Sequence, residues 1–239
     1  MDRPLRFPLA LLLASSWLAC GCASRPVRLA TPCAVAGQNL GKTWRELENA
    51  LATPGGCDAE YGMYCEVLRA RIQRLSLDCP NQPDLVMANA LLAFDARNYA
   101  RSQQLLDELF ALHTPLPEAA MLRARIALEQ GNTTFAIRFL DQQIRQTGDH
   151  PGLREVYASA LYLAGRWEEA QEQIAIAQRL GAPAWRVAYS LGLVAEATGN
   201  FEQARARYRE AISARPDWPL PLSRVRALVA TGKVRDEAN

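Results

Sequence analysis

The feature that most constrains the fold of this chain is a sequence period of 34 residues. Gly131, Gly165 and Gly199 follow one another at that interval, and one further step backwards reaches Arg97. The period defines four contiguous units without insertions, 83–116, 117–150, 151–184 and 185–218. A fixed period of this length is typical of solenoids, in which each unit packs only on its neighbours.

Each unit carries small residues at two matching places. The eighth residues are Ala90, Ala124, Ala158 and Gly192, and the twentieth residues are Ser102, Ala136, Ala170 and Ala204. Three units open with proline, which favours the first turn of a helix: Pro83, Pro117 and Pro151. Small residues let two antiparallel helix axes approach closely. The pattern therefore predicts one helix pair per unit, with Tyr99, Thr133, Trp167 and Phe201 following the turn.

These residues resemble the tetratricopeptide repeat. The best unit, 185–218, has family residues at Leu191-Gly192, Gly199-Asn200-Phe201, Ala204, Tyr208, Ala211 and Pro216. The match is good in 151–184 and weaker in 83–150, where Arg97 replaces the turn glycine and Gln143 replaces a small residue. The resemblance implies an all-α fold, a right-handed α-solenoid of antiparallel helix pairs.

The segments on either side of the repeats are predicted to cap the solenoid. Residues 219–239 include the stretch 220–230, which would form a solvating end helix. Residues 43–82 predict a helical hairpin, with helices at about 43–52 and at 66–78 around Pro54-Gly55-Gly56. Residues 22–42 are rich in proline and glycine and are interpreted as a tether.

Four cysteines in this region, Cys33, Cys57, Cys65 and Cys79, predict two disulfides in the N-terminal cap. Three connectivities are possible. A helix between Cys65 and Cys79 would hold them about 21 Å apart, whereas bonded cysteines have Cα atoms within about 7 Å. An antiparallel hairpin favours Cys57–Cys65 with Cys33–Cys79. A metal site is not indicated, because no C-x-x-C pair is present.

The N-terminal residues predict a secretory signal followed by a lipid attachment site. Arg3 and Arg6 precede an apolar run at 7–18 that is too short to span a bilayer. The segment 18–24 resembles a bacterial lipobox. The resemblance implies a signal peptide at 1–21 and lipidation, including palmitate, at Cys22, with Cys20 as the alternative. An ordinary signal peptide cut near Ala23 is the other interpretation.

The same resemblance implies a location. Neither Ala23 nor Gly21, the two residues that could follow the lipidated cysteine, is the aspartate typical of retention in the inner membrane. We therefore expect a Gram-negative outer-membrane lipoprotein that faces the periplasm. Disulfides agree with that oxidising compartment.

Composition and motifs argue against an enzyme and against a nucleic-acid protein. Lys and Arg number 27 and Asp and Glu number 25, so that the net charge is only +2. The two histidines, His113 and His150, lie in different units, and no P-loop or G-x-S-x-G motif occurs. We expect no catalytic residue, no metal and no cofactor.

Repeats of this family bind proteins on a concave face, mainly through the fifth, ninth and twelfth residues of each unit. Here these are Met87, Leu91 and Phe94; Met121, Arg125 and Leu128; Glu155, Ser159 and Tyr162; and Tyr189, Leu193 and Glu196. The Lys and Asn of the family's carboxylate-binding version are missing, and Arg125 is the only cation at these places. We expect an apolar partner segment. It would contact Met87, Leu91, Phe94, Met121, Arg125, Leu128, Tyr162, Tyr189 and Leu193. Packing between units is the alternative, first for Leu91 and Leu193 and then for Met87, Met121 and Tyr189.

A lipid anchor joined to a repeat solenoid is similar in architecture to lipoproteins that assist assembly of type IV and Flp pili or of secretin pores. This likeness implies a membrane-anchored adaptor that binds protein partners in the periplasm. The alternatives are a regulator that docks peptidoglycan enzymes and a component of polysaccharide export.

Overall fold

A computed structural model describes residues 33, 46, 62–112, 116–147 and 150–235 of the chain. Ten helices and no strand occur within these ranges. They are α1 (Gly62–Asp78), α2 (Pro83–Asp95), α3 (Tyr99–Leu112), α4 (Pro117–Glu129), α5 (Thr133–Thr147), α6 (Pro151–Leu163), α7 (Trp167–Arg179), α8 (Ala184–Ala197), α9 (Phe201–Ala214) and α10 (Pro219–Ala230).

The helices pack as consecutive pairs and form an α-solenoid, which confirms the predicted fold class. The paired helices are α2 with α3, α4 with α5, α6 with α7, and α8 with α9. The second helix of every pair begins at the seventeenth place of its unit. First helices of neighbouring units also touch, as α4 and α6 do. The first helices therefore line up side by side along one face.

The turn inside each pair has the same hydrogen bonds in all four units. The N–H of Asn98 donates to the Ala93 carbonyl at 2.8 Å, and the N–H of Asn200 donates to the Ala195 carbonyl at 2.8 Å. This bond pattern ends a helix with one residue in the left-handed conformation. Glycine occupies that position in three units, with φ between 74° and 79°, whereas the first unit has Arg97 with φ 55°.

The small residues at the eighth and twentieth places lie where the paired helices approach. In the first unit the Ser102 hydroxyl donates to the Ala90 carbonyl at 2.8 Å, and neither side chain is exposed. In the last unit Gly192 of α8 lies directly against the ring of Tyr208 of α9. Close approach of the two backbones is thus the physical basis of these two columns.

A disulfide joins Cys33 to Cys79, the residue after α1, and the two Cα atoms lie 5.4 Å apart. This matches the predicted pairing. Cys65 is also disulfide-bonded; its predicted partner Cys57 lies outside the described residues. Helix α1 begins at Gly62, four residues before the predicted start.

Other predictions about the N-terminus also lie outside the described residues. These are the signal peptide, Cys20, Cys22, the tether apart from Cys33, and the helix at about 43–52, of which only Glu46 is described. The carboxylate of Glu46 lies 2.7 Å from the Arg71 guanidinium on α1.

Helix α10 closes the C-terminal end of the solenoid. Its Leu228 is buried in a cluster with Ala204 and Tyr208 of α9. The turn after α10 repeats the earlier pattern, with Gly232 at φ 66°, and no further helix follows in the described chain. None of the described helices has the length and apolar character needed to cross a bilayer.

Candidate protein-binding groove

A groove of about 600 Å³ runs across the first helices of the second, third and fourth units. Helices α4, α6 and α8 form its walls, together with residues 215–218 between α9 and α10. Six of its lining residues occupy the fifth, ninth or twelfth place of their units: Arg125, Leu128, Glu155, Ser159, Tyr189 and Leu193. The repeat register therefore brings these positions together in space.

A smaller side pocket of about 210 Å³ adjoins the groove. The two share Ser159, Ser190 and Leu193. Tyr162 and Leu163 line the side pocket on the α6 side, and Leu163 is 57% exposed. The side pocket is thus an apolar extension of the groove that remains open to solvent.

Four predicted contacts lie elsewhere. Met87 is only 7% exposed and belongs to a buried cluster with Leu122 and Ile126 of α4. The prediction that Met87 contacts a partner is therefore wrong. The fifth place of the first unit faces the next unit, because neighbouring first helices pack on one another. Leu91 and Phe94 are half-buried and pack on the same cluster.

Met121 is the fourth of these residues. Its thioether packs over Gly152 at the start of α6, and the half-buried side chain adjoins a core cluster that contains Leu140. Met121 thus contacts the neighbouring unit and does not line the groove.

An aromatic shelf formed by Trp185, Tyr189 and Trp218 covers one end of the groove. The ring centroids of Trp185 and Trp218 lie 4.7 Å apart, and those of Tyr189 and Trp218 lie 4.6 Å apart. Both pairs meet edge to face, with interplanar angles of 72° and 64°. This arrangement is favourable for aromatic side chains and holds each ring in place.

Three arginines line the groove. The guanidinium of Arg186 lies 2.9 Å from the Glu155 carboxylate, and that of Arg215 lies 3.7 Å from Asp217. Arg215 also stacks 4.5 Å from the centroid of the Trp185 ring, and Arg186 lies 5.4 Å from it. No carboxylate within the described ranges lies within ion-pair distance of Arg125, the third arginine.

Arg125 is exposed to solvent but is surrounded by the walls of the groove. Loss of hydration there lowers the pKa of its guanidinium, and the positive charge of Arg186 lowers it further. The negative charge of Glu155 opposes both effects, but it is the smallest of the three. The groove thus holds a cation that is partly desolvated and forms no ion pair with the described residues.

The twelfth place of the last unit, Glu196, does not line the groove. The Tyr208 hydroxyl donates a hydrogen bond to its carboxylate at 2.7 Å, and Arg224 lies 3.5 Å from it. Burial, reinforced by Glu196, raises the pKa of Tyr208 well above its usual range. Glu196 therefore belongs to a polar cluster that joins α8, α9 and α10.

Sequence reasoning missed half of the groove, namely Val156, Trp185, Arg186, Ser190, Arg215 and Trp218. Trp185 and Trp218 stand at the first and last places of the unit 185–218. The sequence could have indicated that these two tryptophans meet. The two helices of a unit are antiparallel, so the end of α9 lies near the start of α8.

The helix pairs and the groove define a helical-repeat protein. A family model, the tetratricopeptide repeat, matches residues 87–151 and 158–219, which is more than half of the chain. The chain belongs to this family. Proteins of the family are generally non-catalytic scaffolds that bind other proteins. No curated protein sequence matches the chain significantly.

Solved structures show the same fold at low sequence identity. A thermophilic TPR protein of Thermus thermophilus matches with a TM-score of 0.64 and 13% identity, over 79% of this chain and 99% of that one. A tetratricopeptide repeat protein of Parabacteroides merdae matches with 0.61 and 16%, over 84% and 86%. MamA of Desulfovibrio magneticus matches with 0.51 and 13%, over 63% and 85%.

Proposed function

We propose that this protein is an adaptor that holds a segment of a partner protein in the groove between α4, α6 and α8. The observation that carries the proposal is the aromatic shelf, which meets a groove that continues into an apolar side pocket. Aromatic side chains concentrate binding energy at protein interfaces. A shelf held by edge-to-face contacts loses little further conformational freedom when a partner binds.

The adaptor is proposed to be anchored by lipid at Cys22, or at Cys20, in the outer membrane and to face the periplasm. Two observations support this: the lipobox-like segment 18–24 and the disulfide between Cys33 and Cys79, a bond typical of oxidising compartments. Ten residues separate Cys22 from Cys33. Even fully extended, a segment of that length spans at most about 40 Å, which would keep the solenoid close to the membrane.

We propose that the adaptor assists the assembly of a pilus or of a secretin-type pore. This proposal is supported by the predicted architecture, in which a lipid anchor is followed by a repeat solenoid. Partner identity is therefore the measurement that decides between this process, wall-enzyme regulation and polysaccharide export.

Crosslinking in living cells tests the proposal. A photoreactive amino acid replaces Ser159, which lies in both the groove and the side pocket. The control replaces Arg138 on α5, which is exposed and does not line the groove. We expect a discrete adduct from position 159 and none from position 138, and mass spectrometry identifies the captured protein.

Truncation of the aromatic shelf provides the second arm of this experiment. Tyr189→Ala together with Trp218→Ala removes two anchors, each of which would cost about 2 kcal/mol or more at a hot spot. The adduct from position 159 should fall about tenfold or more while the circular-dichroism spectrum is retained. An unchanged adduct in this folded variant would place binding outside the groove.

A further inference from the structure

We propose that the bound segment presents a carboxylate next to a large apolar side chain, and that Arg125 binds this carboxylate. The inference rests on the proposed function, because it specifies the occupant of the same groove. It differs from the sequence prediction of an apolar partner by assigning a charged contact.

The balance of charge in the groove is the first argument. Three arginines line it, Arg125, Arg186 and Arg215, against the single carboxylate of Glu155. That carboxylate is already paired with Arg186 at 2.9 Å. Arg125 is thus the lining cation for which the described residues supply no counter-charge within ion-pair distance.

The surroundings of Arg125 are the second argument. The walls of the groove strip part of the water from its guanidinium and Arg186 adds a like charge, and both lower the pKa of Arg125. A carboxylate that binds there would offset both effects with its opposite charge. Arginine binds a carboxylate through two parallel charge-assisted hydrogen bonds, which also orient the ligand.

The aromatic shelf argues against a cationic occupant. Aromatic faces attract cations, but the Trp185 ring is already accompanied by Arg215 at 4.5 Å and Arg186 at 5.4 Å. A lysine or arginine of a partner would have to displace these groups and would be repelled by Arg125, the lining arginine without an ion pair among the described residues. The groove therefore repels cationic segments as well as attracting anionic ones.

The side pocket supplies the apolar half of the site. It shares Ser159 and Leu193 with the groove, and Tyr162 and Val194 complete much of its wall. Its volume of about 210 Å³ accommodates one large apolar side chain. A segment with an acidic residue flanked by Leu, Phe or Tyr would engage both parts at once.

Binding of three matched peptide pools to the whole protein tests this inference. Each pool consists of fluorescein-labelled peptides of about nine residues, with Leu, Phe or Tyr on both sides of one central position. That position is Glu in the first pool, Gln in the second and Lys in the third. By fluorescence anisotropy, we expect the Glu pool to bind about tenfold more tightly than the Gln pool and more tightly still than the Lys pool.

The matched variants are Arg125→Gln and Arg138→Gln. Both remove one positive charge, but Arg138 lies on α5 away from the groove. Arg125→Gln should abolish the preference for Glu over Gln, whereas Arg138→Gln should keep the preference.

Two results would overturn the inference. Equal affinity of the unaltered protein for the three pools would show that the charge of the segment is not recognised. A Glu preference that survives Arg125→Gln would assign the carboxylate to another residue. Either result leaves the proposed function standing if position 159 still captures a partner in cells. Loss of that capture would instead contradict the proposed function itself.

Discussion

The backbone of the described chain is strained at one turn residue. Among the described residues, Arg97 is the non-glycine residue with a positive φ, 55°. The other three units have glycine at the same turn. A Cβ atom in the left-handed region costs about 1–2 kcal/mol. The first unit therefore carries a conformational penalty that its neighbours avoid.

Arg97→Gly is expected to raise the free energy of unfolding by about 1 kcal/mol. Relief of the strained backbone exceeds the extra freedom that glycine adds to the unfolded chain. Urea denaturation followed by circular dichroism measures the change. Arg97→Ala removes the same charge but keeps the Cβ atom, so its stability should stay near that of the natural chain. Equal stabilisation by both variants would point to the charge and not to the backbone.

Gly192→Ala is expected to destabilise the protein by about 1–3 kcal/mol. An added Cβ would lie 2.5 Å from the Tyr208 ring. That ring is fully buried and its hydroxyl is bonded to Glu196, so it has no room to move. The thermal midpoint from a circular-dichroism melt reports the loss.

Gly152→Ala is the matched control for Gly192→Ala. Its added Cβ would also lie 2.5 Å from a side chain, but that neighbour is the thioether of Met121, which is flexible and only half-buried. The melt of Gly152→Ala should shift much less than that of Gly192→Ala. Equal shifts would show that the rigidity of Tyr208 is not what makes the eighth place of the last unit sensitive.

At the scale of helices, α1 is held to the solenoid by both apolar packing and a covalent bond. Ile72 of α1 is buried in one cluster with Leu85 and Leu92 of α2, and Cys79 after α1 is bonded to Cys33. The bond closes a loop with a sequence separation of 46 residues. Closing a loop of this size restricts the unfolded chain and stabilises the folded one.

Replacing both Cys33 and Cys79 with alanine should lower the free energy of unfolding by about 2–4 kcal/mol. Each unit of a solenoid touches only its neighbours, so the loss should stay local. Hydrogen exchange with mass spectrometry should show faster exchange in α1 and α2 and unchanged exchange in α8 and α9. Gly192→Ala should show the reverse pattern. Uniformly faster exchange in both variants would mean that the solenoid unfolds as one cooperative unit.

At the scale of the whole molecule, the groove exists only because three units stack in order. Its walls come from α4, α6 and α8, and its end comes from the turn before α10. A single unit could form its helix pair but could not enclose this space. The proposed binding of a partner in this groove would therefore be a property of the assembled solenoid.

The proposed lipid anchor gives a further prediction at the scale of the whole molecule. Cys20→Ser with Cys22→Ser should move the protein from the membrane fraction to the soluble periplasmic fraction, because acyl chains supply about 0.8 kcal/mol per buried CH₂ group. The variant that lacks Cys33 and Cys79 should remain in the membrane fraction. Mass spectrometry of the N-terminal peptide checks the modification directly. An unmodified peptide that begins after Ala23 would contradict lipidation.

Much of the architecture could be predicted because its determinants are local. Proline at the first place and the turn residues set where α2, α4 and α6 begin, and the period repeats that information in each unit. The same register placed Arg125, Ser159 and Leu193 on one surface. Helix length, which is also a local quantity, excluded Cys65–Cys79, and the antiparallel hairpin then favoured Cys33–Cys79.

The sequence by itself determined the helix pairs, their order and the side of each first helix that faces its partner, since these depend on spacing within 34 residues. Only the tertiary structure decided which groove-side residues stay accessible. Met87 is covered by the next unit, whereas Arg215 and Trp218 are carried into the groove by the turn before α10. Both outcomes depend on how units rotate and pack on one another, and that rotation arises from the sum of many side-chain contacts between units.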